Sequence, residues 1–165
     1  MNWFKKIFGK ESLNDKVSAV QQINSEFTHL NYPPKVLLAW IKAIEGNNDL
    51  ALFLYENGYE ELFHTTQALF LKEEARNWLM NNGYAHLLAF VNSCEGNANA
   101  QRWLQMHGFE TLYHVSNAAD GEMTSFGWLK TNEDAMLFLL ARTIKKLKDQ
   151  IEFNHNDMYS FGKDY

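Results

Sequence analysis

The strongest constraint on this chain is an internal repeat in which similar residues recur every 25 positions. The segment Ala75–Leu87 (ARNWLMNNGYAHL) returns as Ala100–Leu112 (AQRWLQMHGFETL). A period of this length is typical of stacked helical units, each of which buries its apolar face against its neighbours. The repeat therefore predicts an architecture before any single residue suggests a function.

Glycines and leucines at fixed positions divide each unit into two short helices. With the glycines Gly58, Gly83 and Gly108 as position 0, a leucine stands four residues before and four residues after each of them. The leucines are Leu54, Leu79 and Leu104 at −4, and Leu62, Leu87 and Leu112 at +4. We expect these leucines in the core and each glycine in a left-handed conformation that ends the first helix. A second glycine series at +13, formed by Gly46, Gly96 and Gly121, predicts the turn between units.

These patterns predict an all-α fold, namely a right-handed α-solenoid of about four short helix-turn-helix repeats with capping helices at both ends. Two prolines in 165 residues also favour helix. We predict one domain over residues 1–165. Its parts are an aromatic and basic N-terminal arm at 1–10, a capping helix at 11–32, repeats at 33–133, an extended C-terminal capping helix at 134–153 and an irregular tail at 154–165.

The run Leu50–Tyr59 (LALFLYENGY) and its counterparts resemble the second helix and following glycine of an ankyrin repeat. The chain lacks the Thr-Pro-Leu-His turn and the β-hairpin finger of that family, and its period is shorter than the usual length of about 33 residues. The resemblance implies a stacked helical array that serves as a binding scaffold. It assigns no individual binding residue.

The charge is distributed unevenly along the chain, whose formal net charge is −5. Residues 47–141 carry four basic and twelve acidic side chains, which gives 4 − 12 = −8. Such an array disfavours nucleic acid as a partner and would attract a basic protein. The single cysteine, Cys94, fits a reducing compartment, and no apolar run approaches the roughly 20 residues that span a bilayer. We therefore expect a cytoplasmic protein.

No group of titratable residues matches a catalytic or metal-binding motif. His64 and His114 both stand at +6 but two units apart, or about 20 Å, so we expect them to pack or face solvent and not to share a metal. We expect Cys94 to be an inert thiol, and the adjacent acids Glu60 and Glu61 to form a solvated helix start. The sequence thus predicts no enzymatic activity, no cofactor and no metal.

The candidate partner-binding residues stand at repeat positions that change from unit to unit. They are Tyr55, Met80, Gln105 and Lys130 at −3, and Asn77 and Arg102 at −6. By contrast Trp78, Trp103 and Trp128 recur at −5, and we expect them to pack between layers. The functional hypothesis is a non-enzymatic scaffold, adaptor or inhibitor that binds one protein partner. An enzyme with an unfamiliar site is the least favoured alternative.

The N-terminal arm allows two interpretations. On a helix its apolar residues Trp3, Phe4, Ile7 and Phe8 share one face. We favour a cap that covers the end of the repeat stack. The alternative is a peripheral membrane adaptor, in which this face and the nearby lysines anchor the protein on an anionic surface.

Overall fold

The computed structural model describes residues 30–132 and 135–160, with side chains to residue 156. Within these ranges the chain forms nine helices and no strand. The helices are α1 Pro34–Ile44, α2 Asn48–Glu56, α3 Glu60–Leu69, α4 Glu73–Asn81, α5 Ala85–Cys94, α6 Ala98–Met106, α7 Glu110–Ala119, α8 Met123–Thr131 and α9 Ala135–Ser160. The predicted arm at 1–10, the predicted helix up to residue 29, residues 133–134 and residues 161–165 lie outside the described residues. No helix in the described part of the chain is long and apolar enough to cross a membrane.

Both predicted glycine series end helices in the left-handed conformation. At position 0, Gly58, Gly83 and Gly108 have φ of 87°, 87° and 76°. In the first unit the amide of Tyr59 donates to the carbonyl of Leu54 at 2.9 Å, which is the bond of a Schellman motif. The +13 glycines, Gly46, Gly96 and Gly121, also have positive φ. The division into two short helices per unit is therefore confirmed for the described units.

Leu71 occupies the +13 place in the unit that lacks a glycine there. Its φ is 65°. The N–H of the next residue, Lys72, donates to the carbonyl of Gln67 at 3.0 Å, which is the same closing bond as in the glycine turns. The backbone of the repeat thus imposes a left-handed conformation on a residue whose Cβ disfavours it by roughly 1–2 kcal/mol.

Leu71→Gly should raise the free energy of unfolding by about 0.5–1 kcal/mol, since relief of the Cβ clash exceeds the extra chain entropy of glycine. The side chain is more than half exposed, so its removal costs little packing. Urea denaturation measures the change. Leu71→Ala is the matched control because it keeps the Cβ, and a gain of the same size in that variant would contradict the explanation.

The predicted leucine positions form the core. Leu54, Leu79 and Leu104 at −4 are fully buried, and so are Leu62, Leu87 and Leu112 at +4. The tryptophans at −5 are only half-buried and pack against the edge of this core. The face assignment from the sequence is therefore confirmed for the leucines.

The second helices of the units form a closed ring of contacts. Helix α1 contacts α3, α3 contacts α5, α5 contacts α7, and α7 contacts α9, which in turn packs against α1. The remaining helices α2, α4, α6 and α8 lie outside, each contacting the two ring helices next to it in the chain. Trp40 of α1 is fully buried and its ring lies 6.2 Å from that of Phe90 in α5. The sequence predicted a solenoid of stacked units, and the contact between α1 and α9 was not anticipated.

Helix α9 runs to Ser160, whereas the sequence predicted an irregular tail from residue 154. The apolar face that guided the prediction ends at Ile151, and residues 152–156 are exposed. The backbone continues as helix to Ser160 beyond this face, because no glycine or proline interrupts it before Gly162.

Candidate functional site

A groove opens between the outer helices α2 and α4, with α3 as its floor. Its volume is about 630 Å³. Helix α2 contributes Leu52 and Tyr55, α3 contributes Phe63 and His64, and α4 contributes Trp78. We call this surface, defined by these five residues, the aromatic groove.

Helical spacing places these side chains on facing surfaces. Leu52 and Tyr55 lie three residues apart on α2, so both point to the same side of the helix. The Tyr55 ring meets Phe63 edge-on with centroids 5.2 Å apart, and His64 stacks on Trp78 at 3.9 Å. Leu52 and Tyr55 remain 49% and 47% exposed. The groove therefore presents solvent-accessible apolar surface on a floor of packed rings.

The histidine–tryptophan stack is a feature of the repeat. His114 stacks on Trp128 at 4.2 Å, and its Nδ1 is hydrogen-bonded to the Ser125 hydroxyl at 3.1 Å. In the unit between, Ala89 stands at +6 and Trp103 stacks instead on His107, at 4.2 Å. His64 and His114 are thus packing residues, as expected. The sequence contained the signal for the stack, because each of these histidines precedes the next −5 tryptophan by 14 residues.

Burial favours the neutral form of three of the stacked histidines, His64, His86 and His114. Burial lowers the pKa of His64 and of His114, and it lowers the pKa of His86, which stacks on Phe109, to about 4. The cause is desolvation, since a charged imidazolium loses water in these positions.

The helices that flank the aromatic groove carry exposed acids. Asp49 and Glu56 lie on α2, and Glu73 and Glu74 begin α4. Arg76, the one base within these two helices, points to the next unit, where it donates to Asn92 at 2.8 Å and pairs with Glu95. The two flanking helices therefore carry four acids against one base.

The six predicted partner-binding residues are all exposed, but they do not form one site. Tyr55 lines the aromatic groove. Met80 and the polar candidates Asn77, Arg102 and Gln105 lie on the exposed faces of α4 and α6, and Lys130 lines a different cleft along α8. Their role in binding stays a prediction. Trp3, Phe4, Ile7 and Phe8 lie outside the described residues.

The prediction that Glu61 is solvated was wrong. Its side chain is only 3% exposed, and it accepts a hydrogen bond from the Tyr32 hydroxyl at 3.0 Å. Glu61 lies on the inward side of α3, where desolvation raises the pKa of its carboxyl, whereas Glu60 is exposed. Adjacent positions on a helix diverge by about 100°, so one member of the pair faces inward and the other faces water.

Cys94 is not placed to act as an exposed nucleophile. Cys94 is fully buried, and desolvation raises the pKa of its thiol, which makes the nucleophilic thiolate inaccessible. Among the described residues, no group of three or more His, Cys, Asp or Glu side chains is placed to hold a metal ion.

The described fold is an all-α helical array, and its two-helix units repeat along the chain. Comparison with protein-family models, with curated proteins and with solved structures found no match. The interpretation of the aromatic groove therefore depends on its own geometry and charge.

Proposed function

We propose that this protein is a non-enzymatic interaction module, an adaptor or inhibitor, which binds one basic partner protein through the aromatic groove. The observation that carries the proposal is the pair of half-exposed apolar side chains on α2, Leu52 and Tyr55, in a groove whose two flanking helices together carry four exposed acids. The right-handed course of the repeat array remains part of this proposal.

The shape of the groove favours a helical segment of a protein as its occupant. Two parallel helix edges with a floor of rings match the grooves that receive amphipathic helices, in which apolar anchors recur every three or four residues. Half-exposed Leu52 and Tyr55 would contact such anchors. The exposed acids, Asp49 and Glu56 among them, would face lysines or arginines on the rim of the partner segment.

The double variant Leu52→Ala/Tyr55→Ala should weaken partner binding by about tenfold or more, because apolar anchors at the centre of an interface carry most of its energy. The partner is first obtained by affinity capture with the full chain and then purified, and its dissociation constant is measured by biolayer interferometry. Met106→Ala is the matched control, since Met106 is an exposed apolar residue of α6 outside the groove.

The charge of the partner gives a second readout. Its association rate should fall about tenfold or more between ~0.02 M and ~0.5 M salt if the acidic array steers the encounter. Equal affinities for the double variant and the wild type would contradict binding in the aromatic groove. A partner with an acidic contact surface would contradict the electrostatic part.

A further inference from the structure

A second cleft, between α8 and α9, differs from the aromatic groove in its charge. Its volume is about 840 Å³. The walls are one face of each helix, with Met123, Phe126 and Lys130 on α8 and Leu139, Arg142 and Lys146 on α9. The spacing of three, four and seven residues places each set in a row along its helix. We call the surface defined by these six residues the basic cleft.

The floor of the basic cleft is apolar and open. Phe126 meets Phe138 edge-on with centroids 5.6 Å apart, and Met123 and Leu139 are exposed. Gly127 widens the cleft in the middle of α8, where an added Cβ would meet no atom within 4 Å. The floor thus accepts apolar side chains of an occupant without displacing residues of this chain.

The rim carries cations that are not neutralised within the described part of the chain. Lys130, Arg142 and Lys146 have no acid there within ion-pair distance. The two acids that border the cleft are already engaged: Glu45 pairs with Lys42 at 2.6 Å, and Asp149 pairs with Lys145 at 3.0 Å. Three uncompensated cations around an apolar floor are complementary to an occupant that is both acidic and apolar.

We propose that the basic cleft binds an acidic amphipathic segment of a second protein partner. Apolar side chains of that segment fill the floor between α8 and α9, while its carboxylates pair with Lys130, Arg142 and Lys146. A lipid surface fits less well, because the apolar floor is recessed between two helices. A nucleic acid fits less well too, because its phosphates would meet the acidic body of the array.

The basic cleft shares no residue with the aromatic groove. If the proposed function also holds, the protein joins two partners of opposite charge. Only this bridging role rests on the proposed function. Binding in the basic cleft stands or falls by itself.

The test is fluorescence anisotropy with a fluorescein-labelled amphipathic peptide of leucine and glutamate, titrated with the full chain. Binding should saturate, and Arg142→Glu/Lys146→Glu should weaken it by about tenfold or more, as expected for loss of paired charges at an interface. Gly127→Gln should also weaken it, by filling the cleft without changing the charge. The matched control Lys35→Glu/Lys72→Glu reverses two exposed lysines outside the cleft and should leave the affinity unchanged within about twofold.

Several results would overturn the proposal. One is an absence of saturable peptide binding; another is an equal loss in the control variant. Cleft-dependent binding to anionic phosphatidylserine vesicles without peptide binding would assign the cleft to membranes. A photo-crosslinker at Met123 that captures residues 1–29 or a second copy would show a different occupant. Because Leu52→Ala/Tyr55→Ala should bind the acidic peptide like the wild type, failure of the aromatic groove and failure of the basic cleft are distinguishable.

Discussion

Leu104→Ala should lower the free energy of unfolding by about 2–5 kcal/mol, the range for removing a large side chain from a well-packed core. Leu104 is fully buried on α6, which packs against both α5 and α7. The cavity cannot close by a shift of α6 alone, since its neighbours on both sides belong to the ring of inner helices. Urea denaturation followed by circular dichroism measures the change.

The adjacent residue provides the matched control. Gln105 is exposed on the same helix, so Gln105→Ala should change the free energy of unfolding by no more than about 0.5 kcal/mol. Leu79→Ala, at the same repeat position one unit earlier, should resemble Leu104→Ala because Leu79 is equally buried. If Gln105→Ala proved as damaging as Leu104→Ala, the assignment of buried and exposed faces would be wrong.

Acidification should destabilise the protein through His86. Burial lowers its pKa to about 4 in the folded chain, compared with about 6.5 for an unperturbed histidine. Below about pH 6.5 the unfolded chain binds a proton that the folded chain binds only near pH 4, so folding loses up to about 3 kcal/mol across this window. Above about pH 6.5 His86 is neutral in both the folded and the unfolded chain, so none of this stability is lost.

His86→Phe isolates this contribution because it keeps an aromatic ring stacked on Phe109 and removes the titration. The loss of stability between about pH 7 and pH 4, measured by denaturant titration at each pH, should be smaller in this variant than in the wild type. Glu61 changes the free energy of unfolding in the opposite direction, because its raised pKa favours the folded state as the pH falls. His107→Phe, at an exposed histidine stacked on Trp103, is the control. The same pH dependence in His86→Phe and in the wild type would refute the assignment.

Local signals in the sequence were sufficient to predict the short helices of the described repeat units and the glycines that end them. Helix formation and glycine-terminated turns depend on residues within about one turn of each other. For this reason the left-handed glycines and the buried leucines at −4 and +4 could be located from their spacing alone. The same reasoning missed Leu71, because the backbone geometry of the repeat continues where the sequence signal is absent.

The candidate sites depend on side chains from different units, and the sequence indicated them only in part. Tyr55 and Lys130 were selected because their repeat positions vary, but they lie in two separate surfaces of opposite charge. The His64–Trp78 stack could have been inferred from the recurring spacing of 14 residues. The sequence could not indicate that no described acid pairs with Arg142 or Lys146, because this depends on which acids the fold brings near them.

The sequence by itself determined the helical units, the glycine turns within and between them and the leucine core, because each of these follows from periodicity and from interactions between near neighbours in the chain. Only the tertiary structure decided that α9 packs against α1, and that Glu61 is buried while its neighbour Glu60 is exposed. The contact between α9 and α1 joins helices that begin about 100 residues apart, and no period in the sequence encodes the small rotation from unit to unit that brings them together. The two surfaces lie between neighbouring helices, and their charges depend on which ion pairs the packing of those helices allows.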